Sequence, residues 1–584
     1  MLTLIDFPAG DDGRLRGRFE APLEVLAALH LDEVVPVIEA AQAHAKRGRW
    51  AAGMLSYEAA PAFDPALVTM APAPNLPLAA FAVFEGNPGS FDPPRQTPAG
   101  SFSCTPWRHD TAYAAFERTV EAIRDRIAAG GYYQANFTTR LTAGYTGDAE
   151  AFFHALCAAQ PGCYALFLDF EGWQAASVSP ELFFAWDPRT GEIETRPMKG
   201  TAPREAGAEA LRASAKDRAE NLMIADLLRN DISRIAGNVR VSDLFAVEAL
   251  PTALQMTSTV MGTTRPEIRL ADVFRALFPC GSVTGAPKIA AMKAIAGHET
   301  SPRGAYCGAL GIIQPGGKAI FSVGIRTVTI AGAEAVCGVG SGITSDSRSQ
   351  EEFAEGRVKQ RFLWRASANF QLLETLRLES GAYWLLQRHV DRMRRGASYF
   401  GFAFDETRVR EALRAAAEAN RQGLFRVRLL MDRGGTVKAE AFAFEEEFPA
   451  VKSSRGARAR EIAKLAELAA RPISSDDEFL RHKTTHRAVY EAFAPSSPGI
   501  FDTLLYNERG EITEFTRGNA VAELDGRLVT PPESCCLLPG TLRDELLALG
   551  DVFEQVFTLG DVRRATALWF VNSLRGIIPV RLKD

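Results

Sequence analysis

Apolar residues recur at helical spacing through Leu222, Ala225, Leu228 and Ile232, which predicts a helix over residues 215–235. A second helix is predicted to open at Pro287, a residue favoured in a first turn because its missing N–H would find no partner there anyway. It carries Ile289, Met292 and Ile295. The apolar, β-branched runs 319–330 and 333–339 read as strands. Helices and strands mixed in this way predict an α+β body with a large sheet. The pattern restarts near 362–369, and a fresh unit opens at Phe370 with the strand-like Leu372 to Arg377. The expected organisation is a first domain over 1–362 and a second over 366–584. The polar, small-residue stretch Val451 to Arg460 would connect two parts of the second, about 366–450 and 460–584.

Length supports the division, since 584 residues exceed one ordinary core and a soft prior of roughly 150 residues per domain gives two to four folding units. With 47% hydrophobic and 23% charged residues the chain suits a soluble globular protein, and a net charge of −5 leaves no basic footprint for nucleic acid. The eight cysteines show no paired CxxC spacing, which argues against a disulfide framework or zinc site and for a reducing compartment. Met1 to Pro8 lack a basic head and apolar core, and no run approaches the ~20 apolar residues of a membrane span. A cytoplasmic protein acting on a small molecule, away from membranes, is expected.

In the first half, Arg196-Pro197-Met198-Lys199-Gly200-Thr201 holds one lysine between a proline and a glycine. A rigid, partly desolvated setting would aim that amine as a nucleophile, although turn chemistry alone favours a solvated surface lysine. Glu220 opens a predominantly apolar helical run, and Glu352 and Glu355 share one helical face. Together they could hold Mg²⁺, or each could stand as an exposed helix charge. The small-residue turn Gly281 to Lys288 feeds a helix, whose backbone N–H groups could hold a carboxylate. Arg326, in the apolar 322–327 segment, calls for a carboxylate partner, internal or bound. Gly338-Val339-Gly340-Ser341-Gly342 lacks the full GxGxxG with a following helix and ribose acid, which excludes a dinucleotide site.

Ser179-Pro180-Glu181, Arg196 to Thr201, Asp217 to Leu222, Gly281 to Lys288, Ile325-Arg326-Thr327 and Gly340 to Glu355 occur in the order and spacing of the chorismate-utilising enzymes, which residues 50–360 resemble. The Pro-x-Lys-Gly-Thr form resembles the aminodeoxychorismate synthase component I branch, because anthranilate synthases carry alanine where Lys199 stands. Gln134 stands where the water-adding isochorismate and salicylate synthases carry lysine, which implies ammonia as the incoming nucleophile. The resemblance implies a large chorismate-binding β-sandwich with helices. It also implies Mg²⁺ on Glu220 and Glu355 with Glu352 nearby, clamping the ring carboxylate. Glu181 would be the acid for the departing 4-hydroxyl, and Lys199 the nucleophile at C2, expelled when ammonia adds at C4. Arg326, Thr284, Gly285, Gly340, Gly342 and Gln134 would contact the substrate. Where anthranilate synthases have a histidine before a Leu-Val-Ser run, this chain has Gln255, which can donate a hydrogen bond but no proton at neutral pH. The chain contains no Gly-x-Cys-x-Gly elbow, so ammonia is expected free or from a separate glutaminase subunit.

In the second half, Arg481 to Arg487 surrounds Lys483 and by itself reads as a basic patch. A hairpin signal over 502–514 places Glu514 just past its second strand, and Pro539-Gly540-Thr541 opens a helix suited to a phosphate. With Gln387 to Arg392 upstream, this order resembles the fold-type IV pyridoxal-phosphate enzymes over 366–584. The resemblance implies a smaller two-subdomain fold, and leaves room for a homodimer through this half. Pyridoxal 5′-phosphate would be carried by Lys483, its ring nitrogen held by Glu514 and its phosphate by Arg392 and Thr541. Fused to a half that makes aminodeoxychorismate, this unit is expected to eliminate pyruvate and leave 4-aminobenzoate for folate, with Lys483 as proton shuttle. An aminotransferase or a non-catalytic scaffold are the alternatives.

Overall fold

Residues 1–8, 13–91, 101–202, 207–249, 254–368, 370–445, 463–475, 477–495 and 497–583 are described by the computed structural model. The connector expected over 451–460 lies outside them, as does the side chain of Thr201. The chain is α+β and divides into two units, Met1–Ser367 and Ala368–Asp584.

Alternation at period two builds the first unit. In Tyr164–Phe170, Ala165 and Phe167 enter one core while Tyr164, Leu166, Leu168 and Phe170 enter another. Ala309–Ile313 divides the same way, Leu310 and Ile312 against Ala309 and Ile313. The result is two antiparallel sheets with a shared core between them and a helix-covered core outside each. One sheet runs from Gly285–Ala286 through Gln134–Gly147, Glu334–Ile343, Thr327–Ala331, Trp173–Ser179 and Tyr164–Phe170 to the N-terminal pair Leu2–Pro8 and Arg14–Glu20. The other begins at Met198–Ala202 and passes through Leu254–Thr264, Glu192–Arg196, Leu182–Trp186, Ala319–Val323 and Ala309–Ile313 to Trp50–Leu55, Ala79–Phe84 and Glu24–Ala28. Ala149–Ala159 and Ser349–Ser367 cover the first sheet, and Leu31–Lys46, Ala215–Ser233 and Leu270–Leu277 the second.

The predicted helix over 215–235 is Ala215–Ser233, but Leu222 is 51% exposed and Ile224 takes the inward position beside Ala225, Leu228 and Ile232. Pro287 caps the helix Lys288–His298 from outside instead of opening it. The strand expected over 319–330 is two strands in different sheets, Ala319–Val323 and Thr327–Ala331. The break is steric: a Cβ on Gly324 would stand 2.0 Å from the Ala305 carbonyl oxygen, and Arg326 adopts φ +50°. The run predicted at 333–339 lengthens to Glu334–Ile343, paired in register with Gln134–Gly147 along its whole length.

In the second unit, the antiparallel strands Ala382–Tyr383, Leu372–Glu379, Leu424–Met431 and Val437–Ala443 are covered by Leu386–Phe400 and Glu406–Ala419. A mixed eight-stranded sheet is built around Lys464–Leu468, which is parallel to both Asp502–Tyr506 and Gly576–Leu582. Pairing of Ile512–Phe515 with Gly518–Leu524 closes part of this sheet on itself. Glu514 lies within Ile512–Phe515, not past it. Among the described residues no helix is long and apolar enough to cross a membrane.

Phe274 is fully buried, its ring 5.1 to 6.3 Å from those of Phe63, Phe183, Phe184, Phe278 and Phe321. Phe274→Ala should cost the first unit about 3–5 kcal/mol, measured by urea unfolding followed by tryptophan fluorescence. A loss below about 1 kcal/mol would show that this ring cluster does not support the helix-covered core.

Candidate functional site

The edge strand Met198–Ala202 carries Lys199 just before Gly200, whose φ of +88° and approach to Asp217 favour glycine. Gln134 and Gly342 lie near the matched ends of two neighbouring strands of the other sheet. A Cβ on Gly342 would stand 2.1 Å from the Gln134 amide nitrogen and 3.5 Å from Lys199 Nζ, so glycine leaves room for amide and ammonium on one spot. Gly285, at φ +148°, lays Gly285–Ala286 against Ala135 and Gln134, where a Cβ would meet the Gln134 carbonyl oxygen at 2.2 Å. The Thr284 hydroxyl is taken up by the Cys280 and Gly281 carbonyls at 3.1 and 3.3 Å, so it braces this turn.

Glu181, buried ahead of the strand Leu182–Trp186, joins this group. Burial pushes its carboxyl up to about 7, against the pull of a Ser282 hydrogen bond and the Lys199 charge. Its Oε1 has no hydrogen-bond partner, and neither have the buried amide oxygens of Gln134 and Gln255. Gln255 pairs through its backbone with Thr201, two residues from Lys199. Unsatisfied buried oxygens beside an amine and an acid poised near neutrality are what a polar ligand would complete.

Glu220 lies in the second turn of Ala215–Ser233 instead of opening the helix. Burial raises its carboxyl; Lys199 and Lys216 pull it back, and Glu355 and Glu352 push it further up. Against its own burial, Glu355 is held low by Lys359, 2.9 Å away, whose ammonium also donates to the Gly340 carbonyl. Glu352 is buried and accepts from the Ser347 hydroxyl at 2.8 Å. Among the described residues no three acidic, histidine or cysteine side chains stand assembled as a metal site. Glu352 and Glu355 add repulsion at Glu220, which a hard cation such as Mg²⁺ would relieve.

Arg326 is not a strand residue; it occupies the crossing between sheets. Burial lowers its guanidinium to about 10, and it donates to the Gln160 side chain, with no carboxylate partner among the described residues. Gln160 and Cys163 beside it line a cavity of about 230 Å³, which also touches Pro180 and Met198, the residues preceding Glu181 and Lys199. No direct contact joins Arg326 to Lys199 among the described residues.

In the second unit, burial lowers the Lys483 ammonium to about 7, with Arg392 and Arg487 adding repulsion. Glu514 is pushed up to about 7 by burial, although the Leu538 N–H at 3.0 Å and the Tyr490 hydroxyl at 2.8 Å both donate to it. Arg392 forms a bidentate pair with Glu374, 2.8 and 2.6 Å, and donates to the Pro539 carbonyl at 3.1 Å. Thr541 begins the helix Thr541–Ala548, and Gly540 before it is required because a Cβ would stand 1.9 Å from Asn519 Oδ1. A desolvated amine, an acid within its electrostatic reach and an arginine beside a helix start fit a pyridine aldehyde carrying a phosphate.

Glu374, His389, Arg487, Tyr490, Ser573 and Ser282 are members of these sites that motif reading passed over. A signal existed for Glu374, a lone acid among Leu372, Leu373 and Leu376 on a buried strand.

The chorismate binding enzyme family matches residues 16–365, and the amino-transferase class IV family matches residues 371–582. Aminodeoxychorismate synthase component 1 of Klebsiella aerogenes is 39% identical over 267 residues, 44% of this chain and 59% of that protein. Anthranilate synthase component 1 of Aquifex aeolicus is 33% identical over 269 residues, 44% of this chain and 54% of that protein. The chain thus spans less than two thirds of the length of these curated relatives. The crystal structure of anthranilate synthase component I from Streptococcus pneumoniae TIGR4 aligns with a TM-score of 0.50 and 25% identity, covering 62% of this chain and 89% of its own.

Folded Glu181 keeps its proton up to about 7, whereas the unfolded carboxyl releases it near 4.5, so this group makes folding less favourable as pH rises through that window. Glu181→Gln should therefore raise the urea midpoint of the first unit more at pH 8 than at pH 5. Equal shifts at both pH values would show that burial does not hold the proton there.

Proposed function

The chain belongs to the chorismate binding enzyme family, and on that premise we propose that it makes 4-aminobenzoate from chorismate and ammonia in two consecutive reactions. What carries this reading is the meeting of Lys199, Glu181 and Gln134 in a unit of that family, joined to an amino-transferase class IV unit with its own half-buried lysine. Lys199 attacks C2 of chorismate as the 4-hydroxyl leaves as water, with Glu181 supplying the proton. Ammonia then adds at C4 and expels Lys199, giving 4-amino-4-deoxychorismate. The unpartnered amide oxygen of Gln134 accepts an N–H of the incoming ammonia. Glu220, Glu352 and Glu355 would hold Mg²⁺, which supplies positive charge for a substrate carboxylate. Ammonia arrives free or from a separate glutaminase subunit, a reading supported by the words component 1 in the names of the relatives.

In the second unit, Lys483, Glu514, Arg392 and Thr541 would hold pyridoxal 5′-phosphate, which when bound supplies an electron sink. Glu514 would pair with the ring nitrogen, Arg392 and Thr541 would hold the phosphate, and Lys483, lowered to about 7, would move the proton that accompanies loss of pyruvate. The product is a folate precursor. The amino-transferase class IV match favours transamination as a second reading of this unit.

Incubation of the chain with chorismate, ammonium, Mg²⁺ and pyridoxal phosphate should yield 4-aminobenzoate and pyruvate. Aminodeoxychorismate alone would remove the lyase step, and anthranilate would overturn the role given to Lys199. Lys199→Ala should lower amination roughly 10³-fold or more, while Lys483→Ala should let aminodeoxychorismate accumulate without pyruvate. Glu181→Gln should lower amination roughly 10²-fold or more at fixed pH and ammonia concentration; an unchanged rate would exclude Glu181 as the acid.

A further inference from the structure

His389 lies on the helix Leu386–Phe400 one turn before Arg392 and is 1% exposed. Its Nδ1 is 2.6 Å from Glu374 Oε2, and its Nε2 is 3.1 Å from Ser573 Oγ and 3.3 Å from Thr541 Oγ1. Glu374 is kept ionised, at about 2 in spite of its burial, by Arg392 and His389. An ionised carboxylate only accepts, so Nδ1 carries a hydrogen, and the state of the ring is decided at Nε2. In the neutral ring Nε2 is a bare lone pair that draws a hydroxyl hydrogen from Ser573 or Thr541. In the charged ring Nε2–H donates to a hydroxyl oxygen, and both hydroxyl hydrogens become free to point elsewhere.

The groups facing the ring are Glu374 from the strand Leu372–Glu379, Arg392 from its own helix and Lys483 from the segment bridged to that strand. Burial disfavours the imidazolium first; Glu374 favours it, and Arg392 and Lys483 oppose it. With no anion present, Arg392, joined by Lys483 while that amine is protonated, works against a further positive charge. A phosphate dianion beside Arg392 and the start of Thr541–Ala548 reverses that balance and needs donors, not acceptors, around it.

Building on the phosphate-ester reading of this site, we propose that His389 is a positioning residue of the phosphate seat. It takes up one proton from solvent when a phosphate monoester dianion binds, and so leaves neither the Thr541 nor the Ser573 hydroxyl hydrogen tied to the ring. Arg392 and the helix start supply fixed charge; His389 supplies charge only when the anion arrives.

The probe is pyridoxine 5′-phosphate, which has the phosphate but no aldehyde for Lys483. Nitrogen NMR of the full chain labelled in its histidines, at pH 8 where the probe is already a dianion, should show one ring passing from neutral to imidazolium as probe is added. His389→Gln assigns that resonance. Probe affinity should also rise as pH falls by up to tenfold per unit more in the unaltered chain than in His389→Gln, the slope of one linked proton. Binding with His389 still neutral would overturn the proposal while leaving the phosphate seat in place. No binding of the probe would overturn the seat itself and the proposal with it.

Discussion

The antiparallel ladder between Gln134–Gly147 and Glu334–Ile343 sets the site of the first unit. Register places Gly342 opposite Asn136, so that Gln134 and Gly342 meet at one end of the ladder. A shift of one residue would turn every side chain to the other face and remove the Gln134 amide from Lys199. The glycines keep the approach open: a Cβ on Gly342 would strike the Gln134 side chain and one on Gly285 its backbone. Close backbone packing, not a flexible loop, therefore brings the polar groups together. The same ladder orients Gly340, whose carbonyl holds Lys359 next to the acidic group.

Desolvation does the chemical tuning in both units. Glu181, Glu514 and Lys483 differ in type and lie in different folds, yet burial is the first cause that brings each to about 7. Carboxyls rise and the amine falls, because in each case the charged form loses water. Glu181 is also left with one carboxyl oxygen unpartnered. By contrast, Glu299 is fully satisfied by Arg140 and Arg303 and stays low despite its burial. Full pairing stabilises a fold, whereas partial pairing leaves reactivity.

Much of this was legible in the sequence where local chemistry decides. Turn glycines, the 215–235 periodicity and the lysines flanked by small or basic residues all mark real elements. What sequence could not show depends on distant partners. The apolar run 319–330 looks continuous, but only the Ala305 carbonyl pressing on Gly324 reveals that it changes sheets. Arg326 looked like a strand residue for the same reason. Glu220 was found by motif, but its coupling to Glu352 and Glu355 comes from a helix more than a hundred residues away in sequence. His389 lies in the Gln387 to Arg392 stretch with no role legible from sequence, because Glu374, Thr541 and Ser573 reach it from three separate elements.

In the proposed reaction Lys199 forms a covalent bond to the substrate before ammonia enters. The most direct measurement is peptide mass mapping of the chain incubated with chorismate and Mg²⁺ in the absence of ammonium. An adduct of chorismate less one water is expected on the peptide containing Lys199 and should disappear when ammonium is added. An unmodified Lys199 in a chain that still aminates chorismate once ammonium is supplied, or an adduct at another residue, would contradict it.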